Sequence, residues 1–346
     1  MNNDLGFLPR AAHRNHGCRT RDFLWRGLRC ISIENAIVRA VICIDKGTDI
    51  LELLHKPSDT EMLTQAPAGT ARAGDRFSSP LAEGPFRDAF PGGWYIMLPN
   101  GPEPCQHQGA SFGFHGEATF LGWDAHVEED GEDRVALCAH VRLRRLPLLI
   151  ERRFSIDVAS STLVLEEAIT SEAAVPIDVL WGHHPTFGAP LIENGTRIDL
   201  PPSLVKSADN RPLLGTTLAE LGRFPEATTG IADFHRVDGF EEGWFAISND
   251  RRGAAVALRW DERVFPMMGI WRVAGGESGY PWYGARQMLA IEPACDLPSV
   301  ATAAARGSAV TLQPGETRST TLEATLFVPH GTVTSVDWAG SISFAR

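Results

Sequence analysis

The sequence predicts an all-β protein, a large and mostly antiparallel β-sandwich with few short helices. Apolar residues alternate with polar or small residues between positions 135 and 144, and the same period of two recurs at 152–158, 256–260 and 322–328. Because successive side chains of a strand point to opposite faces, each of these segments reads as a strand that buries one face.

Turn residues separate the predicted strands. Examples are the clusters Asp130–Asp133 and Asn249–Gly253, each with a glycine beside charged residues. Short strands spaced about 8–15 residues apart with almost no helical pattern are typical of an antiparallel sandwich or barrel. The clearest helical signal is the capping-box pattern Thr217–Glu220, which predicts a helix of about two turns.

The chain is predicted to form one large domain. Its 346 residues are 43% apolar, and Gly and Pro are scattered along the chain instead of clustering in linkers. We therefore expect a single β-sandwich domain over residues 26–346, with residues 1–25 as a loosely attached arm.

Charge and composition exclude several classes of function. A net charge of −11 gives no electrostatic support for nucleic-acid binding. No segment approaches the roughly 18 apolar residues that span a bilayer, and the N-terminus lacks the apolar core of a secretion signal. Six cysteines without a CxxC pair disfavour a zinc ribbon or a disulfide scaffold. We expect a cytoplasmic protein without nucleic-acid or membrane partners, either a monomer or a homodimer.

Three segments combine titratable and aromatic residues. They span residues 90–117, 180–188 and 271–293, and all three tyrosines of the chain lie in them. The common phosphate-loop, dinucleotide, zinc-protease and serine-hydrolase motifs do not occur. Flat aromatic faces near His, Glu and Arg suit a sugar, because its C–H face stacks while its hydroxyls need fixed partners. The predicted partner is a small-molecule carbohydrate.

Within these segments Glu292 is the sharpest candidate. It follows an apolar run and precedes a proline, and a carboxylate at the end of a buried strand costs free energy unless it has a partner. His183 and His184 would point to opposite faces of a strand, so one of the two is expected to face a pocket.

The order of His115-Gly116, His184-Pro185 and Glu292-Pro293 resembles the galactose mutarotase (aldose 1-epimerase) superfamily over residues 30–330 or so. The resemblance implies a large antiparallel β-sandwich and the interconversion of sugar anomers without a metal or organic cofactor. It assigns Glu292 as the base that deprotonates the anomeric hydroxyl and a charged His184 as the acid that protonates the ring oxygen. His115 would help to hold the ring oxygen and hydroxyls.

Several features mark a divergent branch. His183 stands where well-studied aldose epimerases carry Asn, and Glu117 replaces the second glycine of their His-Gly-Gly motif. Asp233 and Asp238 are candidates for the aspartate that contacts sugar hydroxyls in this family. The residues expected to contact substrate are His183, Trp94, Asn100, Glu117, Trp271, Arg272, Trp282 and Tyr283, and an anionic sugar could pair with Arg87, Arg272 or Arg286.

Two alternatives keep the same fold. If His115 and Glu117 share one face of a strand, a histidine of the 183–184 pair would complete a two-His-plus-carboxylate metal set, as in a metal-dependent isomerase or lyase of sugar acids. The other alternative is a carbohydrate-binding protein without catalysis, which would use the aromatic residues alone.

Overall fold

Two large antiparallel sheets packed face to face form the protein. The computed structural model describes residues 14–66, 69–75, 84–206, 218–284 and 287–345. Within them an eleven-stranded sheet lies against an eight-stranded sheet, and the named strand pairs are antiparallel. The predicted all-β sandwich is therefore confirmed.

The larger sheet has the strand order β1-β2-β3-β4-β6-β14-β21-β20-β17-β16, with the short strand β5 paired to β4. Its central strands carry the candidate functional residues. The bounds are β1 Arg19–Trp25, β2 Leu28–Glu34, β3 Val38–Cys43, β4 Asp49–His55, β5 Thr60–Glu61, β6 Trp94–Met97, β14 Gly182–Phe187, β16 Leu204–Lys206, β17 Ile231–Asp238, β20 Met267–Ala274 and β21 Gln287–Ala294.

The smaller sheet has the order β15-β18-β19-β23-β12-β11-β10-β9 and contains all the segments whose alternation predicted strands. Its bounds are β9 Asp124–Asp130, β10 Arg134–Arg142, β11 Leu148–Asp157, β12 Thr162–Ser171, β15 Arg197–Asp199, β18 Gly243–Asn249, β19 Ala254–Trp260 and β23 Thr317–Phe327.

Small elements complete the described part of the chain. Three two-stranded sheets are formed by β7 Cys105–His107 with β8 Ala110–Phe112, β13 Ile177–Val179 with β22 Val310–Leu312, and β24 Val333–Val336 with β25 Ile342–Phe344. The helices are α1 Gly84–Ala89, α2 Leu218–Leu221 and α3 Val300–Arg306. Thr217 lies outside the described residues, and α2 is about one turn long where the capping-box pattern predicted two.

The main core fills the space between the two sheets. Ile31 and Ile42 from the larger sheet and Phe154 and Leu165 from the smaller one belong to one cluster of fully buried side chains. Burial of this apolar surface is the main driving force for the packing of the sheets.

Part of the predicted N-terminal arm belongs to the larger sheet. Strand β1 pairs with β2 along its whole length, from Arg19 opposite Glu34 to Trp25 opposite Leu28. Residues 1–13 of the predicted arm lie outside the described residues. The boundary predicted at residue 25 therefore needs correction, because residues 19–25 form an edge strand instead of a loose extension.

A second apolar cluster lies on the outer face of the larger sheet. It joins Phe86 and Phe90 from α1 and the segment after it to Tyr95 of β6 and Trp282 of the 276–284 loop. These two chain segments cover the sheet centre and enclose the candidate site. No helix in the described ranges combines the length and the apolar character that crossing a bilayer requires.

Candidate active site

The site is built on a row of side chains across three neighbouring strands. Tyr95 of β6 lies directly opposite His184 of β14. The pairing of Gly182 with Ala294 sets the register between β14 and β21, and it brings Glu292 beside His184. Because residues opposite one another in an antiparallel ladder share a face, the three side chains project together from the outer face of the sheet.

His184 is held from three directions. Its Nε2 lies 3.2 Å from Oε1 of Glu292, and its Nδ1 lies 2.9 Å from the hydroxyl of Thr186 two residues along the same face. The Tyr95 ring stacks on the imidazole with centroids 4.6 Å apart and planes 17° apart. These contacts fix the ring orientation and leave Nε2 directed at the carboxyl group.

His115 reaches the same place from a loop. Its backbone φ is +60° and that of Gly116 is +75°, and a Cβ on Gly116 would lie 2.3 Å from the carbonyl oxygen of Leu98. Glycine is therefore required for this close approach. The imidazole of His115 is 5.2 Å from that of His184, centroid to centroid, and its Nδ1 is buried without a hydrogen-bond partner. A bound hydroxyl could supply that partner.

His115, His184 and Glu292 line a cavity of about 280 Å³ on the outer face of the larger sheet. This volume lies just below the roughly 300–1,000 Å³ range of drug-sized ligand sites and so suits a small ligand. The lining residues are Phe86, Arg87, Phe90, Tyr95, Pro102, Phe114, His115, His184, Phe234, Trp271, Glu277, Pro281, Trp282 and Glu292.

Burial decides the protonation of the catalytic candidates. It raises the pKa of Glu292 to about 8 and lowers the pKa of His184 to about 3. Burial, followed by the electrostatic interactions with His184 and Arg87, also holds the pKa of His115 well below its usual value. Near pH 7 the Glu292–His184 pair therefore carries its titratable proton on the carboxyl group, and both histidines are neutral.

His183 points the opposite way, into the core between the sheets. Its Nδ1 accepts a hydrogen bond of 3.2 Å from the indole of Trp94, and its Nε2 lies 3.5 Å from Oε1 of Glu167. Oε2 of Glu167 forms a fully buried ion pair of 2.7 Å with Arg152. Of the two neighbouring histidines, it is therefore His184 that faces the cavity.

Of the predicted substrate contacts, Trp271 and Trp282 line the cavity and six residues do not. His183 and Trp94 belong to the buried network just described. Asn100 donates to the carbonyl oxygens of residues 101, 103 and 113 and ties these loops together. Tyr283 is 70% exposed and packs on Tyr280.

The remaining two predicted contacts are engaged in ion pairs away from the cavity. Glu117 accepts hydrogen bonds from the backbone of residues 144 and 145 and pairs with the Arg145 guanidinium at 3.0 Å. Arg272 forms a two-pronged pair with Asp233 at 3.0 and 2.7 Å. Asp238, the other candidate for a sugar-contacting aspartate, pairs with Lys206, and Arg286 lies outside the described residues.

The predicted metal set is not assembled. His115 and Glu117 do not share a strand face, because the backbone turns through positive φ at residues 115 and 116 and Glu117 faces Arg145. Across the described ranges, no group of three or more His, Cys, Asp or Glu side chains is arranged to hold a metal ion.

Sequence reasoning missed most of the aromatic lining. Tyr95 was seen in an aromatic segment, but its position beside His184 depends on a strand register that the sequence does not reveal. Phe234 of β17 lies opposite Trp271 of β20, although the two residues are far apart in the sequence. Phe86 lies outside the three segments singled out in the sequence, and Phe114 and Glu277 lie inside them but without a pattern that distinguishes them from their neighbours.

Larger clefts lie elsewhere on the described surface, and two of them have volumes of about 830 and 820 Å³. In the first, Glu34 and Glu52 are paired with Arg19 and Arg39. In the second, Glu166 is paired with Arg153. Compensated surface carboxylates of this kind offer less for acid–base chemistry than the buried Glu292.

The two-sheet sandwich has the fold of galactose mutarotase-like proteins. Residues 25–326 match the model of the family described as "Domain of unknown function (DUF4432)", and the chain belongs to this family. A search of curated proteins finds no match to the sequence.

Solved structures with the same fold include several mutarotase-like proteins. A Klebsiella pneumoniae protein provisionally assigned as an aldose 1-epimerase aligns with a TM-score of 0.73 at 15% identity, over 90% of this chain and 88% of its own. A galactose mutarotase-like protein from Clostridium acetobutylicum aligns at 0.63 with 14% identity, over 90% and 99%. A galactose mutarotase-related enzyme from Lactobacillus acidophilus aligns at 0.60 with 16% identity, over 90% and 100%. These likenesses confirm the resemblance in fold and fit a divergent branch.

Proposed function

We propose that this protein is an aldose 1-epimerase-like isomerase that interconverts the anomers of a small sugar by acid–base ring opening. The observation that carries this proposal is the Glu292–His184 pair, in which a carboxyl group and an imidazole lie 3.2 Å apart at the floor of a sugar-sized cavity. Within the described residues, His184 is the one Lys, Arg or His side chain within 4 Å of the Glu292 carboxyl oxygens, so no fixed cation holds this group in its charged form.

The reaction needs one group to donate a proton while another accepts one. With the proton initially on Glu292, the carboxyl group protonates the ring oxygen as neutral His184 takes the proton of the anomeric hydroxyl. The bond between the anomeric carbon and the ring oxygen breaks, and the anomeric carbon becomes an aldehyde. After rotation of that carbon, ring closure on its other face returns both protons.

This order of proton transfer inverts the initial roles expected from the sequence. There, Glu292 was the base and a charged His184 the acid. The two descriptions differ by one proton shared within the pair, and each residue acts as acid in one half of the cycle and as base in the other. His115, neutral and with an unpaired Nδ1, would bind a sugar oxygen without adding charge.

The test is anomer exchange by magnetisation-transfer NMR with a panel of free aldoses, uronic acids and hexose phosphates. Wild type should accelerate exchange of at least one sugar, and Glu292→Gln should lower the rate by about 10²–10⁴-fold, since it removes the proton donor but keeps the side-chain shape.

Glu61→Gln is a matched control. Glu61 is another carboxyl group of the larger sheet with a pKa raised by burial to about 7, and its Oε1 accepts backbone hydrogen bonds that an amide oxygen can also accept. This control should keep wild-type exchange. Absence of catalysis on every sugar by folded wild type, or full activity of Glu292→Gln, would refute the proposal.

A further inference from the structure

We propose, on the basis of the proposed function, that the substrate class is a hexose that lacks a hydroxyl at the end remote from its anomeric carbon, such as a 6-deoxyhexose. The cavity concentrates its polar groups at one place and surrounds the remaining volume with aromatic rings.

Five rings form a closed aromatic belt around the cavity, consisting of Phe90, Tyr95, His184, Trp271 and Trp282. Successive ring centroids around this circuit are 5.6, 4.6, 6.3, 6.4 and 5.8 Å apart. Phe86 and Phe114 extend the apolar wall on the side of His115, at 4.8 and 4.1 Å from its ring. Such a wall stacks well on C–H groups and offers few partners to hydroxyls.

The buried titratable side chains Glu292, His184 and His115 lie together at the reaction centre, whereas the rest of the aromatic belt contributes only the Tyr95 hydroxyl and the indole N–H groups of Trp271 and Trp282. Glu292 and His184 are committed to the anomeric and ring oxygens, and His115 lies beside His184 with one unpaired nitrogen. A hydroxyl on the carbon next to the anomeric carbon would fall near these groups. The charged residues that remain are Arg87 and Glu277, both half-buried, and Arg87 already donates to the carbonyl oxygen of Tyr280 at 3.3 Å.

Hydroxyls farther along the sugar therefore meet the aromatic rings. Burying a hydroxyl without a hydrogen-bond partner costs the free energy of removing it from water. An apolar pocket rejects a ligand that carries one additional hydroxyl by up to about 10²-fold. A substrate without that hydroxyl avoids the loss, and its methyl group gains contact with the rings.

The experiment compares D-galactose and D-glucose with their 6-deoxy and 2-deoxy counterparts in the NMR exchange assay. We expect kcat/KM for a 6-deoxy sugar to exceed that of its parent by about tenfold or more. The 2-deoxy sugar is the matched control, because it loses the same group at the polar end and should gain nothing. Phe90→Tyr, which adds a hydroxyl to the aromatic belt, should reduce the preference for the 6-deoxy sugar severalfold.

Failure of this inference is distinguishable from failure of the proposed function. If the parent sugars exchange as fast as the 6-deoxy sugars, or if 2-deoxy sugars gain equally, the substrate class is wrong while the mutarotase activity stands. If no sugar exchanges, affinities of the methyl glycosides, which cannot open, are measured by titration. Binding of the 6-deoxy glycoside about tenfold tighter than its parent would still support the substrate class, and equal or undetectable binding would overturn it.

Discussion

Two Glu–His pairs stand back to back on the two faces of strand β14. Glu292–His184 faces the cavity and Glu167–His183 faces the sandwich core, with Nε2–Oε1 distances of 3.2 and 3.5 Å. All four side chains are deeply buried. The pairs differ in the cation beside the carboxylate, because Arg152 lies 2.7 Å from Glu167 and no described Arg or Lys pairs with Glu292.

That difference separates the electrostatics of the two pairs. Burial alone would raise the pKa of Glu167, but the charges of His183 and Arg152 and hydrogen bonds from His183 and Trp181 bring it below its ordinary value. For Glu292, burial acts without such compensation and raises the pKa to about 8. The comparison indicates that a neighbouring cation makes one pair a fixed structural element and that its absence leaves the other able to exchange a proton.

The largest expected effect comes from breaking the core pair. Glu167→Gln leaves Arg152 buried without its ion-pair partner, and we expect a loss of about 3–5 kcal/mol in the free energy of unfolding. Urea denaturation followed by tryptophan fluorescence measures it. The double variant Glu167→Gln/Arg152→Met should recover a large part of this loss, and a single-variant loss below about 1 kcal/mol would contradict the structural role of the pair.

The pH dependence of stability should sharpen the contrast. The pKa of Glu292 is raised on folding, so folded protein binds more protons than unfolded protein between about pH 4.5 and 8, and stability falls as pH rises through that window. Relative to Glu292→Gln, wild type should lose about 1.4 kcal/mol per pH unit between pH 6.5 and 7.5. Parallel stability curves for the two proteins would show that the carboxyl group titrates normally.

The smallest expected effect lies outside both pairs. Tyr283 is 70% exposed and does not line the cavity, although the sequence suggested that it contacts substrate. Tyr283→Ala should change kcat/KM by less than about twofold and unfolding free energy by less than about 0.5 kcal/mol. A tenfold drop in kcat/KM in the exchange assay would place this tyrosine at the substrate after all.

Local patterns explain how much the sequence could predict. Alternation predicted strands such as β10 and β23 because one of their faces is buried, and the tandem histidines on β14 follow the same period. Glu292 could be singled out because a carboxyl group inside an apolar run is costly. The family resemblance added the association of Glu292 with His184 and His115.

The remainder depends on pairings between distant parts of the chain. Trp94 and Glu117 resemble site residues in the sequence. In the structure, however, the Trp94 side chain faces the core and donates to His183, and Glu117 forms an ion pair with Arg145. Phe86 reaches the cavity because α1 packs on the outer face of the larger sheet. Phe234 reaches it because β17 pairs with β20 in that sheet. Neither relation leaves a periodic trace in the sequence.

The alternation of His183 and His184 has a consequence for how this gene can evolve. Strand β14 runs from Gly182 to Phe187 between β6 and β21. Its side chains point alternately to the cavity and to the sandwich core. A point substitution on this strand can therefore alter the cavity and leave the core unchanged, or the reverse. A deletion or insertion of a single codon before residue 183 would exchange the two faces, turning His183 towards the cavity and His184 into the core beside Arg152. We therefore expect homologous genes to vary in length around this strand and not within it.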